Sequence, residues 1–372
     1  MSKLKLLFIF GTRPEAIKMA PLVIKGKELK EKFDIKICIT GQHRSMLDQV
    51  MAFFELKADY DLDLMRPNQT LFTITADALN KLEPVLDNYK PDYVVVQGDT
   101  TTAFTGALAA YYKQVKVIHI EAGLRSGDKL SPFPEEINRR LAGVISDIHF
   151  APTNKAKENL ALEHITQNVF VVGNPVIDAL LIGLKKVKAN NAVYEEQFSY
   201  LDSSLKMILV TGHRRESFGE PFKEICYAIK EIAAQPGVEV IYPVHLNPNV
   251  QQPVNEILGN ISNIHLIAPL PYPELIWLMN KSYIILTDSG GIQEESPTLG
   301  KPVLVMRNVT ERQEGVDAGT AKLVGNYGPD ILRETLQLLQ NDEVYNKMAH
   351  AANPYGDGTT SEQIYKTLSN LV

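Results

Sequence analysis

Cysteine is nearly absent from this chain: 372 residues carry two, Cys38 and Cys226. Cys38 falls in a strand-like run and Cys226 in a helix-like one, so both read as reduced core thiols. That argues against a disulfide framework and against a cysteine nucleophile. No apolar run is long enough to span a bilayer. The N-terminal MSKLKLLFIFGTRPE runs directly into a motif and lacks a small-residue cleavage site, so it reads as a first β-strand and not as a signal peptide. A large charge excess is missing too. With 38 Lys and Arg against 44 Asp and Glu, the net charge is −6 and the pI about 5.8. This balance argues against a nucleic-acid or anionic-membrane binder. Also missing are a Walker loop, G-x-G-x-x-G, H-E-x-x-H, paired C-x-x-C and G-x-S-x-G. Nucleoside-triphosphate hydrolysis, nicotinamide binding, a metal site and serine-hydrolase chemistry therefore lack support. The expectation is a soluble cytoplasmic protein without metal or cofactor.

What the chain does have is alternation. Hydrophobic residues make up 45% and charged residues 22%, as in an ordinary globular protein. The length favours two domains, each with its own core. In the first half KLLFIF, DIKICIT, YVVVQG, VKVIHIEA, DIHFAP and NVFVVG read as strands. In the second half MILVTG, VEVIYPV, IHLIAP, YIILTD, PVLVM and AKLVG do so, with helical patterns between them. Without hairpin signals this predicts α/β architecture, with two doubly wound parallel sheets facing across a cleft. The helical, polar stretch from about Val176 to Lys206 carries no strand signal and is the expected boundary.

Ligands in open parallel sheets sit beyond the carboxyl ends of the strands. After the first strand, Gly11-Thr12-Arg13-Pro14-Glu15 opens a helix containing Lys18, and the Arg13 fork suits a phosphate as well as a surface cap. After the second strand comes Gly41-Gln42-His43-Arg44, which fits a ligand or a helix cap equally. Asp99 in GDTTT is either a helix N-cap or a carboxylate aimed into the cleft. Glu121 ends an apolar strand, where a charge needs solvent or a partner. Glu135 opens a helix and Arg139 follows four residues on, so the two share a face and can pair. In the second half His213-Arg214-Arg215 follows a strand and suits a diphosphate, while His245, Asn247 and Trp277 read as structural.

The most informative stretch follows YIILT. Asp288-Ser289-Gly290-Gly291 leads into IQEESPTLG, a strand, a small-residue turn and a helix start. Bare backbone N–H groups at Ser289, Gly290 and Gly291, with the positive end of a helix behind them, make a cradle for a diphosphate. Glu294 and Glu295 lie one helical turn inside, and one of them is placed to accept from ribose hydroxyls.

Together GTRPEAIKMAPL, QHRSMLDQV, GDTTTAF, HIEAGLRSGD, PFPEEINRRL, VTGHRRESFG, YPVHLNPNV, LTDSGGIQEESPTLGKPVLVMR, TERQEGVDAGT and NPYGDG resemble the non-hydrolysing UDP-N-acetylglucosamine 2-epimerases of bacteria. The resemblance covers essentially the whole chain in order. It implies a glycosyltransferase-B type fold of two Rossmann-like domains, at 1–175 and 176–354, with a last helix at about 355–372 crossing back to the first. It implies a homodimer with no cofactor, acting on UDP-GlcNAc and UDP-ManNAc through an enzyme-bound 2-acetamidoglucal and supplying ManNAc units for cell-surface polysaccharide. By motif position it implies Asp99, Glu121 and Glu135 as acid/base groups. Arg13, Lys18, Arg139, His213 and Arg312 then hold or stabilise the diphosphate, Ser289, Gly290 and Gly291 donate to it, and Glu295 binds the ribose. Gln42, His43 and Gln69 match a second, regulatory substrate site of some members, from whose pattern Ser45 and Asn68 depart.

The nearest alternative is the same fold acting on a related UDP-sugar such as a diacetamido-uronic acid, because few side chains distinguish the sugars. A hydrolysing relative, a glycosyltransferase and a non-catalytic UDP-sugar sensor are the other readings. The set of carboxylates in the first half weighs against the last two.

Overall fold

A computed structural model describes residues 3–41, 44–66 and 69–371 of the chain. The chain divides into two compact units, Met1–Ile182 with Tyr355–Val372, and Gly183–Pro354.

The first unit begins with β1 (Leu4–Phe10), α1 (Arg13–Glu28), β2 (Phe33–Ile39), α2 (Arg44–Phe53), β3 (Tyr60–Asp61) and α3 (Leu71–Tyr89). It continues through β4 (Tyr93–Gln97), α4 (Thr101–Tyr112), β5 (Lys116–Ile120), α5 (Glu135–Ile145), β6 (Ile148–Ala151), α6 (Asn154–Leu162), β7 (Val169–Val171) and α7 (Pro175–Ala189), whose residues from Gly183 on belong to the second unit. The second unit holds α8 (Asn191–Gln197), β8 (Lys206–Thr211), α9 (Glu220–Ala233), β9 (Val238–Pro243), α10 (Pro248–Leu258), β10 (Ile264–Ile267) and α11 (Tyr272–Lys281). Then come β11 (Ile284–Thr287), α12 (Gly290–Glu295), β12 (Val303–Val305), α13 (Gln313–Asp317), β13 (Ala321–Leu323), α14 (Gly328–Gln340) and α15 (Asp342–Ala349). The last helix, α16 (Thr360–Leu371), belongs to the first unit.

The strands are continuous apolar runs because both faces of each sheet are covered. Leu7, Ile9, Val94 and Val96 meet Ala103, Ala107 and Ala110 of α4 on one side of the first sheet. Small residues on that helix let it lie close to the strands. In the second unit Ile208, Val210, Val240 and Leu286 form the core with Phe222, Ile225 and Ile229 of α9. Each such branched side chain stabilises by about 1.5–3 kcal/mol when fully buried.

All strand pairings are parallel. The seven-stranded sheet runs β3-β2-β1-β4-β5-β6-β7 and the six-stranded sheet β10-β9-β8-β11-β12-β13. Each follows the Rossmann order, so the winding direction reverses between β1 and β4 in one unit and between β8 and β11 in the other. Those reversals open a crevice at the carboxyl ends. Only β3, two residues paired to Cys38 and Ile39, had no counterpart among the strands read from the sequence. Both cysteines are buried, and burial pushes each thiol up to about 12. No helix among the described residues is long and apolar enough to cross a membrane.

Candidate active site

In the first unit the loops after β1, β4 and β5 hold most of the candidate residues. Thr12 caps α1, its hydroxyl accepting from the Glu15 N–H while the Glu15 carboxylate reaches back. Glu15 is buried, and its Oε2 accepts from the N–H groups of Gly11 (3.0 Å) and Thr12 (2.8 Å). Its Oε1 accepts from the Thr100 hydroxyl at 2.6 Å, so one carboxylate locks the loop after β1 to the loop after β4. Burial raises its pKa, and those hydrogen bonds oppose the rise. Arg13 occupies the first position of α1 on this locked turn.

Thr100, and not Asp99, caps α4: its hydroxyl accepts from the Ala103 N–H at 3.0 Å. Asp99 is thereby released from capping, and it forms an ion pair with Arg139 of α5. Arg139 also donates to Glu136 at 3.3 Å, and Glu136, fully buried, takes further bonds from Arg140 Nε (3.1 Å) and the Ser126 N–H (3.0 Å). The partner that helical spacing offered Arg139 was Glu135. The structure gives it Asp99 and Glu136 instead, because α5 turns Arg139 toward the end of β4. Glu135 opens α5, and its Oε2 is buried without a hydrogen-bond partner.

Glu121 follows β5 with φ +60°, the left-handed region that a residue with a Cβ rarely enters. Such a backbone costs about 1–3 kcal/mol and persists only where surroundings enforce it. Here the side chain is the anchor. Oε1 accepts from Lys18 Nζ at 2.5 Å and from Asn174 Nδ2 at 2.9 Å, and Oε2 accepts from Gln97 Nε2. Gln97 and Ile120 are register partners, so Asp99 and Glu121 emerge from adjacent strand ends. His119 stiffens the same corner: its Nε2 bonds the Gly98 carbonyl at 2.8 Å, where Gly98 turns with φ +70°. Burial pushes its imidazole down to about 4, with the Gly98 bond opposing.

In the second unit Asp288, buried after β11, accepts through Oδ2 from the backbone N–H groups of His213 (2.6 Å) and Arg214 (2.7 Å). One carboxylate thus shapes the loop after the neighbouring β8. Asp288 Oδ1 lies 3.6 Å from His213 Nδ1, and the His213 ring stacks on His245 at 5.1 Å. Burial lowers the His213 pKa, Asp288 opposes this, and His245 and Arg214 add to it.

Ser289 precedes α12, a six-residue helix whose first residue, Gly290, lies against the Arg312 guanidinium. A Cβ at position 290 would sit 3.4 Å from Arg312 Cζ. Arg312 Nε donates to Glu294 Oε1 at 2.6 Å. Glu295 Oε1 accepts from the Tyr272 hydroxyl at 2.5 Å. The two glutamates are thus distinguished: Glu294 holds a cation, and Glu295 takes a neutral donor. Arg307, at the end of β12, bonds Glu216 at 2.6 Å and Glu311 at 2.9 Å and steadies the loop leading to Arg312.

Of the three residues expected at a regulatory site, Gln42 and His43 lie outside the described residues. Gln69 donates from its side-chain amide to the Leu64 carbonyl. Among the described residues no group of His, Cys, Asp and Glu is arranged to hold a metal ion.

Carboxylates at strand ends of the first unit, and a small-residue turn with cations in the second, invite comparison with known proteins. A family model described as UDP-N-acetylglucosamine 2-epimerase matches residues 27–369. The chain belongs to the UDP-N-acetylglucosamine 2-epimerase family. It is 51% identical over 372 residues to the UDP-N-acetylglucosamine 2-epimerase of Salmonella typhimurium, covering 99% of each chain. The crystal structure of UDP-GlcNAc 2-epimerase from Neisseria meningitidis bound to UDP-GlcNAc matches with a TM-score of 0.92 at 50% identity, over 99% of this chain and 100% of that one. That of Methanocaldococcus jannaschii UDP-GlcNAc 2-epimerase in complex with UDP-GlcNAc and UDP matches at 0.80 and 36% identity, over 99% and 100%. The two parallel-sheet α/β units of this family member are those of a glycosyltransferase-B-like fold.

Several residues at these strand ends escaped the sequence reading. Gln97 is the last residue of an apolar strand, and Asn174 sits in a turn, so neither carried a signal. Glu15 and Glu136 were visible only as letters within motifs. For Glu15 the Thr-x-x-Glu spacing of a capping box was the available clue.

Proposed function

We propose that the chain interconverts UDP-GlcNAc and UDP-ManNAc by inverting C2 of the sugar. A base removes the C2 proton, the C1–O bond to UDP breaks, and a 2-acetamidoglucal remains bound. The UDP oxygen then re-adds at C1 while a proton reaches C2 from the opposite face. A C2 proton is weakly acidic, so the base must lie within hydrogen-bond reach, and a second group must serve the other face. Departing UDP must be held and its charge stabilised.

The observation that carries this reading is the placement of Asp99 and Glu121 on adjacent strand ends, with Glu135 at the start of α5, each of the first two bonded to a cation. These three are the acid/base groups. Lys18 and Arg139, paired with Glu121 and Asp99, stabilise the charge of the leaving diphosphate. Arg13 is the third first-unit cation assigned to the diphosphate. In the second unit His213, Arg312 and the N–H groups of Ser289, Gly290 and Gly291 hold the diphosphate, and Glu295 binds the ribose. That the Neisseria relative binds UDP-GlcNAc supports the choice of substrate.

The reaction is non-hydrolysing, takes place in the cytoplasm and feeds cell-surface polysaccharide with ManNAc units. The active form is a homodimer. Ile137, Leu141 and Val144 lie on one face of α5 and are 37%, 42% and 74% exposed, an apolar stripe suited to a second copy. The unit Met1–Ile182, to which Tyr355–Val372 returns, carries the acid/base groups, and Gly183–Pro354 carries the UDP site. Chromatography of UDP-GlcNAc and of a UDP-diacetamido-uronic acid after incubation with the protein tests the substrate. Conversion of the first to UDP-ManNAc supports the proposal, and turnover of the second alone transfers the chemistry to the uronic acid.

A further inference from the structure

Two amides at the first unit's strand ends have no place in the reaction as drawn above. Gln97 and Asn174 are 4% and 1% exposed. Both give an N–H to the same carboxylate: Gln97 Nε2 to Glu121 Oε2, and Asn174 Nδ2 to Glu121 Oε1 at 2.9 Å.

The orientation of the Asn174 amide follows from its other bond. Its Oδ1 accepts from the Val176 N–H at 3.1 Å, at the start of α7, so the NH2 end must face Glu121. The Asn174 backbone N–H donates to the Tyr355 carbonyl at 2.7 Å, where the chain re-enters the unit. Nearby, Asp178 accepts from the N–H groups of Thr360 (3.2 Å) and Ser361 (2.7 Å). The amide is therefore mounted on a doubly tied turn. Gln97 is mounted on β4, in register with the residue before Glu121.

Among the charged and titratable groups that interact with Glu121 are Lys18 from α1 and His119, two residues back on its own strand. Lys18, Gln97 and Asn174 all donate, which suits a carboxylate and leaves no acceptor for a carboxyl proton among them. With Glu121 in a left-handed backbone conformation, the side-chain bonds decide where its oxygens point.

We propose that Gln97 and Asn174 are positioning residues: between them they fix both oxygens of Glu121 and favour its charged form for proton transfer at C2. This rests on the proposed epimerisation.

The test uses Asn174→Asp and Gln97→Glu in the full-length protein. Aspartate keeps the acceptor that caps α7 and adds a negative charge at a helix N-terminus, both favourable to folding. It replaces the donor to Glu121 by a second acceptor. The expected result is a kcat for C2 exchange lower by about 10²-fold. KM and the calorimetric affinity for UDP stay near wild type, and the acid limb of the kcat–pH profile moves to higher pH. Gln97→Glu acts on the other oxygen with the same expected signature, and it decides alone if Asn174→Asp does not fold. Folded variants with wild-type kcat and pH profile would overturn the proposal. A wild-type protein that shows no C2 exchange while binding UDP would instead remove the epimerase reading, and this inference with it.

Discussion

His119 shows how a single buried group ties stability to the site. Its Nε2 bond to Gly98 sets the turn before Asp99, and burial holds its pKa at about 4 against an ordinary 6.5. A depressed folded-state value means that protonation favours the unfolded chain. The stabilisation is complete above pH 6.5 and is lost as the pH falls toward 4. The full difference is on the order of 3 kcal/mol. Glutamine carries a terminal N–H at a similar reach and does not titrate. His119→Gln should therefore keep its melting temperature near wild type at neutral pH and lose less of it between pH 6.5 and 4. Differential scanning calorimetry across that range checks the claim, and parallel curves for the two proteins would contradict it.

At the scale of elements, α12 is where binding is most open to test. The helix is short, and its first turn presents Gly290 against Arg312, which Glu294 holds from behind. Gly290→Ala adds a methyl group at the guanidinium and obstructs backbone approach to a phosphate. UDP affinity should fall about tenfold, equivalent to about 1.4 kcal/mol, by calorimetry. Unchanged affinity would move the diphosphate elsewhere. The apolar face of α5 makes a second prediction. Leu141→Glu should convert a dimer to a monomer by light scattering, whereas a wild-type monomer would remove the homodimer.

The same elements show what could be read from sequence. Parallel strands announced themselves as apolar runs because both faces are covered, and the candidate site loops were sought at their ends because ligands collect there. Side-chain pairing was less legible. Helical spacing offered Arg139 to Glu135, but the end of β4 supplied Asp99, a contact made across 40 residues of chain. Asp99 suited an N-cap equally well until Thr100, one residue on, took that role. The amides on Glu121 come from β4 and from the turn before α7, and no local pattern links those positions.

At the scale of the whole molecule, both sheets follow the Rossmann order. The first unit carries carboxylates matched with cations, and the second carries a small-residue turn with Arg312 beside it. In the proposed reaction a C2 proton leaves and returns while UDP stays bound. Proton NMR of UDP-GlcNAc incubated with the protein in heavy water tests this most directly. The expected result is UDP-ManNAc as product, with deuterium at C2 of both sugars and no free UDP accumulating. Epimer formed without deuterium at C2, or release of free ManNAc and UDP, would contradict it.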